Sequence, residues 1–174
     1  SSFFSNPALV SAAEHTRKHN GAFHIAGLFG SGSVHSYLDH MHALLEFSQA
    51  EKLTNVYLHL FLDGRDSPPK EGAGLLVQLQ ERLKKSGTGK IATIVGRHFA
   101  LDRTFHWERT QKAHELMVNS IGEKTKDPIE TIKAFYEKGI TDEFMEPIVV
   151  LDETGTAASV KDNDALVFFE FRED

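Results

Sequence analysis

Five apolar runs punctuate the chain: "AFHIAGLF" (22–29), "NVYLHLFL" (55–62), "KIATIV" (90–95), "PIVVL" (147–151) and "ALVFFEF" (165–171). They are continuous rather than alternating, so each predicts a strand covered on both faces, the habit of parallel sheets. Between them apolar positions recur at helical spacing. Leu38, Met41, Leu44, Leu45 and Phe47 form one stripe, and Leu75, Leu76, Leu79 and Leu83 a second. Trp107, Leu116, Met117 and Ile121 predict a third helix, and residues 129–138 a fourth. A further helix starts near Asn6-Pro7, where a capping side chain precedes a proline in the first turn. "LDETGTAASVKDND" (151–164) is the longest polar stretch and predicts a loop or hairpin connection. Strands interleaved with helices make this an α/β chain, expected as a three-layer α/β/α arrangement around a mostly parallel central sheet.

In open sheets of that kind, ligands gather beyond the carboxyl ends of the strands. Four such ends carry chemistry here: "GSGSVHS" (30–36), "DGRDSPP" (63–69), "GRHFALDR" (96–103) and "FRED" (171–174). Arg65, Arg97 and Arg103 each follow a strand, and Arg172 closes the last one. The chain has 25 acidic and 19 basic residues, for a net charge of -6. No basic stretch compensates, which removes the electrostatic footprint of a nucleic-acid binder. An acidic chain that holds an anion must do so with a few converging arginines. Their planar forks match carboxylate or phosphate oxygens better than the point charge of Lys. A single arginine is more often paired with a neighbouring acid at the surface. Four of them at strand ends favour the anion.

Asp63-Gly64-Arg65-Asp66 presses two carboxylates around a guanidinium. Asp63 reads as a turn residue bonded to its own backbone. Asp66 lies past the turn, where it either exchanges a proton with a substrate hydroxyl or simply orients Arg65. The intervening arginine is expected to keep both ionised. "GSGSVHSYLDH" places two glycines, three serines and His35 between a strand and a helix, a weak signal for an anion held by backbone N–H groups. His35 can contact a ligand or serve as a cap. His35, Asp39, His40 and His42 also admit a metal reading, but His35 precedes the helix and no second carboxylate cluster accompanies it. The aromatics of "RHFALDRTFHWER" (97–109) fit helix packing better than base stacking.

At 174 residues the chain suits one domain with a sizeable core. It has no cysteine, no apolar run near the roughly 20 residues that cross a bilayer, and no signal-peptide pattern at "SSFFSNPALVSAAEH". A cytoplasmic protein is expected.

Taken together, "FLDGRDSPP", "GRHFALDR" followed by Trp107, the turn ending "VHS" and "FFEFRED" resemble the cofactor-independent (2,3-bisphosphoglycerate-independent) phosphoglycerate mutases, in order and spacing, across nearly the whole chain. The resemblance implies an enzyme that interconverts 3-phosphoglycerate and 2-phosphoglycerate in glycolysis through a phosphoserine. It implies two domains. A phosphatase-like one carries the serine and two divalent metal ions, usually manganese, and an inserted one grips the substrate. Residues 1–174 match the inserted domain alone, so no metal is expected on this chain and the isolated domain is expected to be inactive. By resemblance the substrate-binding positions fall on His35, Arg65, Asp66, Arg97, Arg103 and Arg172, with Asp66 as the catalytic proton carrier. The family's next arginine would follow Asp174. The chain departs from the family at Ser31, usually Asp, at Tyr37, usually His, and at residues 104–106, usually Asp and basic residues. Two other readings remain beside it: a non-catalytic phosphometabolite-binding module, and a metal-dependent enzyme built on His35–His42. The expected partners are the phosphoglycerates and the phosphatase-like domain, with neither nucleic acid nor membrane.

Overall fold

A computed structural model describes residues 3–172. Six strands form one sheet: β1 Phe23–Phe29, β2 Val56–Leu62, β3 Lys90–Gly96, β4 Glu123–Thr125, β5 Ile148–Val150 and β6 Ala165–Phe168. Their order across the sheet is β4-β5-β3-β2-β1-β6, and every pairing is parallel except β3 with β5. The helices are α1 Pro7–His19, α2 Leu38–Ala50, α3 Gly72–Ser86, the short α4 Arg97–Ala100, α5 Trp107–Asn119 and α6 Pro128–Glu137. A 3-10 turn, Asp142–Phe144, precedes β5.

Local chemistry sets these boundaries. The Asn6 side chain accepts the Ala8 N–H at 2.9 Å with Pro7 in the first turn of α1, and Asp127 accepts from Glu130 N–H at 3.1 Å ahead of Pro128 in α6. These are the caps that satisfy otherwise orphaned donors at helix starts. Side chains alternate across the sheet, so the central strands β1, β2 and β3 feed two cores. One buries Phe23, Ile25, Leu58, Leu60 and Ile94 against α1, α2, α3 and α6. The other buries Ala26, Leu28, Phe61 and Val95 against Ala113, Leu116 and Met117 of α5. The three layers expected from the sequence are present.

Several expectations change in detail. The last run yields a strand only to Phe168, because Glu170 leaves the ladder to bridge Ser36. Strand β4 was not anticipated, since its Glu-Lys-Thr is polar. It is held by its ladder with β5 and by Glu123 N–H to Pro147 O at 2.8 Å. In the third helix, Trp107 is 70% exposed, and Ile121 lies beyond the left-handed Ser120 that ends α5. Phe105, at 78% exposure, meets only the likewise exposed Trp107 among the ring contacts, at 6.1 Å between centroids, so of the aromatics in residues 97–109 only Phe99 enters a core. Residues 151–164 form the expected connection, pinned by a bridge between Leu151 and Ala157. Among the described residues no helix is long and apolar enough to cross a membrane.

Candidate functional site

Strands β1, β2 and β3 end in one row: Phe29 is in register with Leu62, and Leu62 with Gly96. The residues that follow are therefore neighbours at one edge of the sheet, and among them stand Asp63 and Arg97. Arg97 is 5% exposed and Asp63 1%. Arg97 Nη1 donates to Asp63 Oδ1 at 2.6 Å and to Asp66 Oδ2 at 2.6 Å. Both bonds use the same nitrogen, so the other donors of the fork are not spent on these carboxylates.

The turn after β2 is shaped by Asp63. Its Oδ1 also accepts the backbone N–H groups of Arg65 at 3.2 Å and Asp66 at 3.1 Å. Gly64 adopts φ +64°, a left-handed conformation that costs a side-chain-bearing residue energy. This turn presents Asp66 to the site, as the sequence suggested, but the arginine between the two acids does not hold them. Arg65 is 57% exposed and points the other way, with Nε 3.5 Å from Glu143 Oε1 beside the 3-10 turn. The guanidinium that organises Asp63 and Asp66 comes from the next strand. The cause is geometric: residues 63 and 97 share a row, whereas consecutive residues in a turn diverge.

Charge follows contact. The hydrogen bond from Arg97 holds the Asp66 carboxyl below its ordinary range, with His35 and Arg65 adding attraction, against partial burial. Burial works against the charge on Arg97, but its bonds to Asp66 and Asp63 outweigh that and raise its pKa further. His35 lies on the loop after β1 with Nε2 3.8 Å from Asp66 Oδ2. That loop is tied to the tail of β6, where Phe171 N–H donates to His35 O at 3.0 Å. The tail brings half-buried Arg172 to the same end of the sheet.

The structure thus gathers His35, Asp66 and Arg97 by direct contact, sets Arg65 at the margin, and carries Arg172 in on the β6 tail. Arg103 is exposed and makes no hydrogen bond or ion pair among the described residues. Its neighbour Asp102 instead shapes the turn by binding Thr104, His106 and Arg109. The glycine-serine loop is not an open nest for an anion either. Glu71 accepts the Ser31 N–H at 2.6 Å and its hydroxyl at 2.8 Å. Helix α2 starts only at Leu38, several residues later. The end of "FRED", Glu173 and Asp174, lies outside the described residues.

Glu71, Glu143 and Glu170 are site-edge residues that sequence reasoning did not single out. Only Glu170 left a signal there, as a carboxylate inside the apolar run "ALVFFEF". Burial pushes its carboxyl up to about 7, against the pull of the Leu28 N–H and the charges of Arg172 and Arg97. Among the described residues no three His, Cys, Asp or Glu side chains converge as a metal would require.

Known proteins match the chain in sequence and in fold. The chain is 49% identical over 173 residues to the 2,3-bisphosphoglycerate-independent phosphoglycerate mutase of Moorella thermoacetica, covering 99% of this chain and 34% of that protein. It is 47% identical to the enzyme of the same name from Chloroflexus aggregans, covering 99% of this chain and 32% of that protein. It therefore spans about a third of the length of these relatives. The fold superposes on a crystal structure of Leishmania mexicana phosphoglycerate mutase with a TM-score of 0.92 at 24% identity, over 98% of this chain and 33% of that one. Residues 1–174 match the family described as "BPG-independent PGAM N-terminus" in full, and the chain belongs to that family.

Proposed function

We propose that this chain is the substrate-gripping domain of a 2,3-bisphosphoglycerate-independent phosphoglycerate mutase, and that the cradle around Arg97 holds 3-phosphoglycerate and 2-phosphoglycerate. The observation that carries this reading is the Arg97 centre: a buried guanidinium fixed by Asp63 and Asp66, with His35 against Asp66, at the strand ends where α/β sheets bind ligands. The name of its relatives supports this reaction, and coverage of about a third of their length fits a chain that performs one part of it.

In this reading Arg97, Arg172, Arg65 and Arg103 neutralise the phosphate and carboxylate of the ligand, and His35 contacts it. Arg103 enters only from its exposed position after α4, by moving onto the ligand. Asp66, held ionised by Arg97, is the acceptor for a substrate hydroxyl proton. A phosphate bound to Arg97 would draw that guanidinium away from Asp66 and make the carboxylate a stronger base. The serine that receives the phosphoryl group and the divalent ions that assist it, manganese by resemblance, belong to the longer protein outside these residues. Closure of that part over the cradle would exclude water from the transfer. A cytoplasmic setting accompanies the glycolytic role.

Calorimetric titration with 3-phosphoglycerate tests the reading. Saturable binding is expected, together with its loss in Arg97→Lys, which keeps a charge but cannot fork. Equal binding by both proteins would refute the Arg97 cradle.

A further inference from the structure

Glu170 stands where three parts of the cradle meet. Its backbone bridges Ser36, one residue from His35. Ser36 is itself buried and donates its hydroxyl to Leu28 O at 2.7 Å. The Glu170 side chain turns inward and, with Arg172, lines one part of a cavity of about 460 Å³ whose other walls include Phe61, Leu101 and Met117. Glu170 Oε1 is buried with no hydrogen-bond partner among the described residues. An unpaired carboxylate oxygen in such surroundings is costly when charged and much less so when protonated.

We propose that Glu170 is a positioning residue that takes up a proton from solvent as an anionic ligand settles against Arg97 and Arg172. This rests on the phosphoglycerate reading of the cradle and deepens it. Without ligand, burial opposes the ionised form of Glu170, while the Leu28 N–H bond and the charges of Arg172 and Arg97 favour it. The other titratable groups around it are His35, across the Ser36 bridge, and His114 of α5, on the cavity wall. Behind Arg97 lie Asp63 and Asp66. A phosphate monoester brings a charge of about -1.5 to -2. Placed on the two arginines, it cancels their share of the attraction that favours the ionised form and adds repulsion of its own. The carboxylate then binds one proton on an oxygen, and no bond of the ligand is made or broken. Coupling is reciprocal, so loss of that proton at higher pH weakens the ligand by the same factor. Glu170 thereby keeps the pocket from holding one negative charge too many, while its backbone bridge and the Phe171 bond to His35 keep the loop in place.

Carbon-13 NMR of glutamate side-chain carboxyls, with Glu170 assigned by its absence in Glu170→Gln, reads this directly. The expected midpoint for the free chain is near neutrality, and saturation with 3-phosphoglycerate is expected to move it up. Wild-type affinity should fall with pH by up to about tenfold per unit between the two midpoints, and Glu170→Gln should abolish that fall while still binding. A midpoint in the ordinary carboxylate range overturns the proposal. The Arg97 side-chain N–H resonance scores ligand binding separately. If Arg97 responds to ligand and Glu170 does not, the coupling alone is refuted. If Glu170 titrates near neutrality but neither 3-phosphoglycerate nor inorganic phosphate perturbs Arg97, the phosphoglycerate reading fails and the coupling falls with it.

Discussion

Arg97 binds Asp63 at 2.6 Å across 34 residues of sequence, and both side chains are almost wholly buried. Removing Asp63 takes from the buried Arg97 its only fully buried partner and leaves it the partly exposed Asp66 alone, which costs far more than the intact pair contributes. Asp63 also holds the backbone of its own turn. Asp63→Ala is therefore expected to destabilise the chain by about 3 kcal/mol. Asp66→Ala, whose carboxylate is partly exposed, is expected to cost about 1 kcal/mol. Urea unfolding of the two variants checks the order. Equal losses would show that Asp63 has no special structural share.

A second buried network gives the fold its acid limit. Asp164 accepts from His24 Nε2 at 3.0 Å, His24 Nδ1 meets His59 Nε2 at 2.9 Å, and His59 Nδ1 meets Thr93 Oγ1 at 2.8 Å. With Asp164 ionised, every tautomer is fixed in turn: His24 donates to Asp164, His59 to His24, and Thr93 to His59. An added proton sets donor against donor. Burial lowers His24 despite Asp164, and burial with the nearby His24 lowers His59 to about 3, from an ordinary 6.5. The unfolded chain thus binds more protons below pH 6.5, so stability is full above that value and falls with acid. Raised Glu170 acts oppositely between about 7 and its ordinary 4.5, because there the folded chain binds the extra proton. The clean readout is wild type against His59→Gln. Their stability difference is expected to shrink by about 2 kcal/mol from pH 6.5 to pH 5. Parallel pH profiles in thermal or urea melts would rule it out.

The sequence made β1, β2 and β3 legible because strands buried on both faces need uninterrupted apolar runs, and helices α1, α2, α3 and α6 because stripes and caps are local. Glu123–Thr125 was not legible as a strand, since backbone pairing with β5 and not side-chain burial holds it. The same division runs through the site. That arginines crowd strand ends can be read from position alone, and the family resemblance selects the same ones. Which arginine meets Asp63 and Asp66 depends on the register of β2 with β3, a non-local fact that favoured Arg97 over the adjacent Arg65. Glu71 capping Ser31, 40 residues away, was hidden for the same reason.

Gly32 tests how closely the His35 loop must approach the turn after β2. A Cβ built there would lie 2.5 Å from the carbonyl oxygen of Asp66, a backbone atom that cannot swing aside. Gly32→Ala must push the two loops apart and shift Asp66 relative to His35. It is expected to weaken 3-phosphoglycerate binding by about tenfold or more, given how steeply sites lose function with ångström displacements. Neither Gly32 nor Asp66 belongs to a hydrophobic core, so unfolding should change by no more than about 1 kcal/mol. Unchanged calorimetric affinity would mean that the loop adapts without moving Asp66.

Arg65 and Arg103 separate ligand binding from folding most cleanly. Arg65 is 57% exposed with only a 3.5 Å approach to Glu143, and Arg103 is exposed with no ion pair among the described residues. Surface charges of this kind contribute little to stability, so Arg65→Ala and Arg103→Ala should each unfold within about 0.5 kcal/mol of wild type. If they converge on the phosphate or carboxylate of a bound phosphoglycerate, each removes a charge-assisted bond worth about 1.5–3 kcal/mol. Affinity should then drop by roughly ten- to a hundredfold while folding is untouched. A loss confined to Arg65→Ala would leave Arg103 outside the cradle, in keeping with its lack of contacts. Loss in neither would restrict the cradle to His35, Arg97 and Arg172.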